Sequence, residues 1–179
     1  MRVIGGKYKG RLITSPKTVT THPMSEKLRG AIFATLGDID GLSVLDAYAG
    51  SGAIAFEALS RGAKNVLAIE PDRLAAVAIK TNADRLKPKS QEFKTVQASI
   101  EGWLNTSTDQ FDLIIADPPY DQVKDRVLLR LAERLKPDGL LVVSLPVRHD
   151  VIWLNRDLQI LKVKQYGDAQ LLFTKSRPA

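Results

Sequence analysis

Along this chain the apolar residues fall into two alternating patterns. Short runs (Ser43-Val44-Leu45-Asp46, Asn65–Ile69, Lys94–Gln97, Phe111–Ala116, Leu140–Leu145) read as strands. Between them lie longer stretches with apolar residues at helical spacing. Ser25 is placed to cap a helix over Glu26–Leu36, in which Leu28, Ile32 and Leu36 repeat on one face and Phe33 widens it. A second helix opens at Ala53 and a third runs from Pro71 to Leu86. Ile100 to Leu104 makes a helical turn, and a further helix opens at Asp121 or Asp125 and runs to about Leu135. The run Phe111–Ala116 is continuously apolar after Asp112, which suits burial on both faces. Near the end, Leu158–Lys164 and Leu171–Thr174 flank the turn Tyr166-Gly167-Asp168, and a connection that tight makes them antiparallel. The pattern therefore predicts an α/β fold: a largely parallel sheet with helices on both faces, closed by an antiparallel hairpin.

Composition narrows the picture little except through charge. The 179 residues suit one domain with a small appendage, and 44 % hydrophobic content is enough for a full core. No window is long and apolar enough for a membrane span, nothing at the N-terminus reads as a signal peptide, and the absence of cysteine fits a cytoplasmic setting. His22 and His149 are too few and too poorly spaced for a metal site. The net charge is +6. Five of the 26 basic residues and none of the 20 acidic ones fall within the first 25 positions, so the excess positive charge is local. Val3-Ile4, Tyr8 and Leu12-Ile13, with Gly5-Gly6 and Gly10 between them, fold that segment into a small β-hairpin. Its Arg2, Lys7, Lys9 and Arg11 are candidate contacts to an RNA backbone. Ser15 to Pro23 reads as a threonine-rich linker, so residues 1–22 form a basic extension and 23–179 the main domain.

Two motifs carry chemistry. In the first, an apolar strand ends in Asp46 and runs through Ala47-Tyr48-Ala49-Gly50-Ser51-Gly52 into a helix, a layout that turns free N–H groups and bare backbone towards a ligand. Gly50-x-Gly52-x-x-Ala55 also satisfies a loose dinucleotide fingerprint, and Glu70, ending the next strand, suits a ribose in either case. Asp46 favours a cofactor with an amino-acid end, such as S-adenosylmethionine, because it would repel a pyrophosphate. The second motif is Asp117-Pro118-Pro119-Tyr120, at the end of the fourth core strand. Two prolines remove both N–H donors, so the turn offers only acceptors, namely the Asp117 carboxylate and the Pro118 carbonyl, followed by an aromatic face. That set suits an NH2 group whose lone pair is delocalised and which must be oriented towards a methyl donor. The same tetrapeptide serves guanine N2, adenine N6 or a glutamine amide. A nicotinamide-linked oxidoreductase and a non-catalytic RNA-binding protein are the competing classes. Tyr48 and Tyr166 are assigned to core packing.

Asp46-x-x-Ala49-Gly50-Ser51-Gly52-Ala53, continuing through Glu57–Ala63, together with Asp117–Tyr120 and the opening Arg2–Arg11, resembles the bacterial 16S ribosomal RNA guanine-N2 methyltransferases of the RsmD type over almost the whole chain. The resemblance implies a seven-stranded, Rossmann-like class I methyltransferase sheet and S-adenosylmethionine as donor. It also implies a guanine in small-subunit rRNA, free or in an assembling subunit, as target. It places the cofactor's amino-acid end on Asp46, Gly50 and Gly52 within the Ala49–Ser51 loop, its ribose on Glu70 and its adenine near Ser99, with Asp117, Pro118, Pro119 and Tyr120 holding the amine. His22-Pro23-Met24 replaces the family's Arg-Pro-Thr, Arg29–Ala34 departs from its first-helix motif, and Ser99 stands where Asp or Asn is common.

Overall fold

The computed structural model describes residues 1–15, 24–151 and 158–176. Most of the Ser15–Pro23 linker, with His22 and Pro23, lies outside them. Seven strands, β1 (Ser43–Asp46), β2 (Asn65–Ile69), β3 (Phe93–Val96), β4 (Phe111–Ala116), β5 (Leu135–Pro146), β6 (Leu158–Tyr166) and β7 (Ala169–Ser176), form one sheet in the order β3-β2-β1-β4-β5-β7-β6. The five strands from β3 to β5 are parallel. β7 inserts antiparallel between β5 and β6. The helices are α1 (Glu26–Leu36), α2 (Ala53–Ser60), α3 (Arg73–Leu86), α4 (Ile100–Thr106) and α5 (Asp125–Ala132).

Successive residues on each strand point to opposite faces, and the core divides accordingly. Val44, Val66, Leu113 and Val142 pack with Ile32 and Phe33 of α1, Phe56 and Leu59 of α2 and Ile79 of α3. Their chain neighbours Leu45, Ile114, Leu141 and Val143 pack with Trp103 and Leu104 of α4 and with Val127, Leu128 and Leu131 of α5. Three of the helix starts are set by a capping side chain. Ser25 Oγ accepts the Leu28 N–H, Asp72 Oδ1 the Ala75 N–H and Ser99 Oγ the Gly102 N–H.

Besides shifts of one or two residues at the ends of β3, α4, β6 and β7, element boundaries differ from the sequence reading at α3, α5 and β5. α3 starts at Arg73 because Asp72, not a residue before Pro71, caps it. Of the two candidate starts for the last helix, Asp125 is its first residue, and the helix stops at Ala132 because Leu135 already pairs with Phe111 in β5. The Pro137-Asp138-Gly139 turn sits inside β5 as a bulge. The register steps from Phe111↔Leu135 to Leu113↔Leu140, and a Cβ at Gly139 would lie 2.9 Å from the Lys136 carbonyl oxygen and 3.1 Å from that of Phe111.

The N-terminal segment folds back as a narrow hairpin. The Val3 N–H reaches the Arg11 carbonyl (3.0 Å), the Ile13 N–H reaches Met1 (2.9 Å), and Arg2↔Leu12 forms a single β-bridge. Between those arms the backbone bonds to α2 as well as to itself. Glu57 accepts the N–H groups of Ile4 (2.7 Å) and Gly5 (2.9 Å), Ser60 Oγ accepts that of Tyr8, and the Ser60 carbonyl that of Lys7. Gly6 lies so close that a Cβ there would meet the Ser60 carbonyl oxygen at 1.6 Å. Val3 and Ile13 are each 2 % exposed and join the same core as β1 and α2.

Candidate active site

Parallel pairing of β1 with β4 puts Asp46 opposite Ile115, so the loops leaving both strands emerge side by side at the carboxyl edge of the sheet. The first loop is held from below. Ala47 N–H donates to the Ile115 carbonyl (3.0 Å), Ala49 N–H to Ile69 (2.9 Å) and Gly52 N–H to Ala49 (2.7 Å). Glu70 receives the Gly50 N–H on one carboxylate oxygen (2.7 Å) and the Asp72 N–H on the other (2.8 Å), tying the loop to the end of β2. Asn82 of α3 donates to the Ser51 carbonyl (3.0 Å). The two glycines serve different ends. Gly52 caps α2 in a left-handed conformation, and a Cβ there would strike the Phe56 ring at 2.8 Å. Gly50 has open space where its side chain would be, so it presents bare backbone to the ligand side.

The loops enclose a crevice of about 1160 Å³. Ala49, Gly50, Ser51, Glu70 and Ser99 line one part, and Asp117, Pro118, Pro119 and Tyr120 another. Asp46 and Gly52 do not line it. Asp46 is fully buried behind the loop, where one carboxylate oxygen accepts the Ala55 N–H of α2 (3.0 Å) and the other has no hydrogen-bond partner. It acts on the loop and on the local charge rather than by lining the wall. Arg2, Lys7, Lys9 and Arg11 also lie away from the crevice. Lys7 pairs with Glu92 (3.4 Å), whereas Arg2 and Arg11 share a separate groove. His149 pairs with Asp125 (2.9 Å), and among the described residues no group of metal-binding side chains gathers.

Three acids cluster where the two loops meet, Glu70 and Asp117 on the crevice wall and Asp46 behind it. Burial pushes Asp46 up to about 7, with repulsion from Asp117 and Glu70 adding to it. Burial raises Asp117 to about 6 and raises Glu70 as well. Lys27, Lys124 and Arg148 line other parts of the crevice, but none of the three acids has an ion-pair partner among the described residues, and Asp46 keeps one carboxylate oxygen without a hydrogen-bond partner. These features fit a ligand that brings a cationic end, and they fit S-adenosylmethionine better than a pyrophosphate. In the second loop the Pro119 carbonyl is used by the Gln122 N–H (2.8 Å), and no N–H among the described residues reaches that of Pro118.

Other wall residues escape the sequence reading. Tyr48 and Tyr166 pack against the two halves of the core and also line the crevice. Arg148 and Asp168 arrive with the antiparallel β5–β7 pairing, which joins the Val147 N–H to the Asp168 carbonyl (2.8 Å). That pairing brings the Tyr166–Asp168 turn to the carboxyl end of β5, which counting back along the hairpin from β7 would have indicated.

The chain is matched by known proteins over nearly its full length. The family described as Conserved hypothetical protein 95 covers residues 1–175. Ribosomal RNA small subunit methyltransferase D of Haemophilus influenzae is 32% identical over 80% of this chain and 78% of its own. A solved methylase candidate from Haemophilus influenzae superposes with a TM-score of 0.82 at 28% identity, covering 99% of both chains. A methyltransferase candidate from Escherichia coli gives 0.87 at 24% identity over 99% and 98%. A seven-stranded Rossmann-like methyltransferase sheet, with full-length agreement in sequence and fold, makes this chain a member of the Conserved hypothetical protein 95 family, the RsmD-type group.

Proposed function

We propose that this protein transfers a methyl group from S-adenosylmethionine to the exocyclic N2 amine of a guanine in small-subunit ribosomal RNA, in the cytoplasm. The observation that carries the reading is that the Asp117–Tyr120 turn and the Ala49–Ser51 loop line one crevice. The cofactor, bound along Ala49–Ser51, Glu70 and Ser99, supplies an electrophilic methyl group. The rest of the work falls to the chain. A guanine amine is a weak nucleophile because its lone pair is shared with the ring. The Asp117 carboxylate and the Pro118 carbonyl accept its two hydrogens, turn the lone pair towards the donor and favour the positive charge that builds on nitrogen. Tyr120, 37 % exposed, offers a face on which the base stacks once swung out of the RNA. Asp117, raised to about 6, is still mostly ionised at neutral pH and can act as acceptor. The surplus proton leaves the acidic methylated nitrogen for water or a neighbouring acceptor, restoring a neutral amine.

The rRNA substrate is supported by family membership and by the rRNA-directed name of the Haemophilus relative. The unpaired acids beside the glycine loop, Asp46, Glu70 and Asp117, speak against a pyrophosphate cofactor and hence against the nicotinamide reading. The test is transfer of labelled methyl from S-adenosylmethionine to small-subunit rRNA, supplied both naked and in assembling subunits, followed by nucleoside analysis. N2-methylguanosine is expected. N6-methyladenosine, or label confined to protein, would overturn the guanine assignment, and the more active RNA form identifies the physiological substrate.

A further inference from the structure

Many basic side chains of this protein are neutralised by a nearby acid. Lys7 meets Glu92, Lys124 and Arg126 meet Glu101, Lys136 meets Asp112, and Arg29 and Arg61 share Glu57. Other basic side chains, Arg130 and Arg134 among them, have no such acid among the described residues, and three of these, all arginines, converge. Arg2 and Arg11 of the N-terminal segment and Arg85 of the last turn of α3 line an open groove of about 540 Å³ together with Gly10, Leu12 and Leu86. Among the described residues none of the three forms an ion pair with a carboxylate. Arg2 Nη1 donates to the Gly10 carbonyl (2.9 Å), and Arg85 Nη1 donates to Thr14 Oγ1 (2.6 Å). The acid bonded nearby, Glu26, accepts from the Arg2 backbone N–H (2.5 Å). These contacts aim two guanidinium groups without cancelling their charge. Like charges gathered in a concavity repel one another, and an anion entering the groove reverses that cost. The guanidinium fork matches phosphate oxygens in geometry as well as in charge.

The groove is also mechanically joined to the crevice. Leu12 lines the groove and Ser15 lines the crevice, and three residues of chain span at most about 10 Å. Thr14, between them, is clamped by Asn82. The Thr14 N–H donates to Asn82 Oδ1 (2.9 Å), and Asn82 Nδ2 donates both to the Thr14 carbonyl (3.0 Å) and to that of Ser51 in the glycine loop (3.0 Å). The chain beside the groove is therefore tied to the glycine loop through one side chain.

We propose that the Arg2–Arg11–Arg85 groove binds backbone phosphates of the RNA beside the nucleotide that enters the crevice, with Arg85 as a phosphate ligand supplied by the methyltransferase domain itself. This rests on the RNA reading above. The experiment compares the full chain with Arg11→Ala, Arg85→Ala, the double variant and Arg85→Lys. Each is measured for S-adenosylmethionine binding by calorimetry and for small-subunit rRNA binding across a salt series. The double variant is expected to bind RNA about tenfold or more weakly, with the slope of log affinity against log salt reduced by roughly 0.7 for each single-strand phosphate no longer neutralised. Its cofactor affinity stays that of the parent, and Arg85→Lys regains the slope. Unchanged RNA affinity, or weaker binding with an unchanged slope, overturns the groove. If the parent methylates rRNA while the double variant binds it normally, the groove alone fails. If the parent binds S-adenosylmethionine but no rRNA, the RNA reading fails and the groove with it.

Discussion

Asp46 shows how one side chain sets both the shape and the charge of the site. Its carboxyl is fully buried, bonded through one oxygen to the start of α2, and held at about 7 against an ordinary 3.8. Because the folded value lies above the unfolded one, the folded chain keeps a proton that the unfolded chain has released. Between those two values stability therefore falls as pH rises. Asn is close to isosteric with the protonated acid and can still accept the Ala55 N–H. We expect Asp46→Asn, without cofactor, to match the parent in thermal unfolding near pH 4 and to be the more stable of the two at about pH 8, while losing methyl transfer. A variant that is least stable at high pH would contradict this account of the burial. The gathering of Asp46, Gly50 and Glu70 at one loop is legible in the sequence because an acid, two glycines and a second acid stand at fixed distances from strand ends. The orientation of Asp46 is not, because the turn of a side chain towards its own helix or towards a ligand leaves the spacing unchanged. For the same reason the spacing assigns Tyr48 to the core alone.

Among the elements, α2 links the glycine loop to the N-terminal segment. Its first turn, capped by Gly52, carries the glycine loop, and its last turn holds the N-terminal segment through Glu57 and Ser60. Glu57 lies fully buried between Arg29 (3.7 Å) and Arg61 (2.7 Å) while accepting two backbone N–H groups. Replacing it with Gln leaves the fully buried Arg29 with only the weaker attraction of Glu26, at a cost of about 3–5 kcal/mol. Urea unfolding of Glu57→Gln should show this as a lower midpoint at constant slope. A loss below about 1 kcal/mol would mean that the network does not anchor the segment. The elements themselves are largely visible in the chain. Short apolar runs bounded by Gly, Pro and Asp mark β1, β2 and β4 to the residue, and Ser25 marks α1. The ends of β5 and α5 escape because Leu135 is drawn into the sheet by pairing with Phe111, a tertiary contact that no local pattern encodes.

At the scale of the molecule, the site exists only because sheet order brings distant segments together. β1 and β4 are neighbours, so an acid-and-glycine loop and an acceptor-only turn share one crevice. This juxtaposition follows from the alternating pattern and the rule that ligands sit beyond the carboxyl ends of strands at a switch point. The arginine groove does not follow, since Arg85 and the N-terminal segment share no periodicity and meet only through the packing of α3 (Arg85 and Thr14 are 71 positions apart). The central claim is that Asp117 orients the amine for transfer rather than holding the fold or either ligand. It is tested most directly by the single-turnover rate of methyl transfer in Asp117→Ala with rRNA and S-adenosylmethionine both saturating. The account predicts a rate lower by about 100-fold or more, with both dissociation constants within about threefold of the parent. A rate within about threefold of the parent, or a loss explained by weaker binding alone, would contradict it.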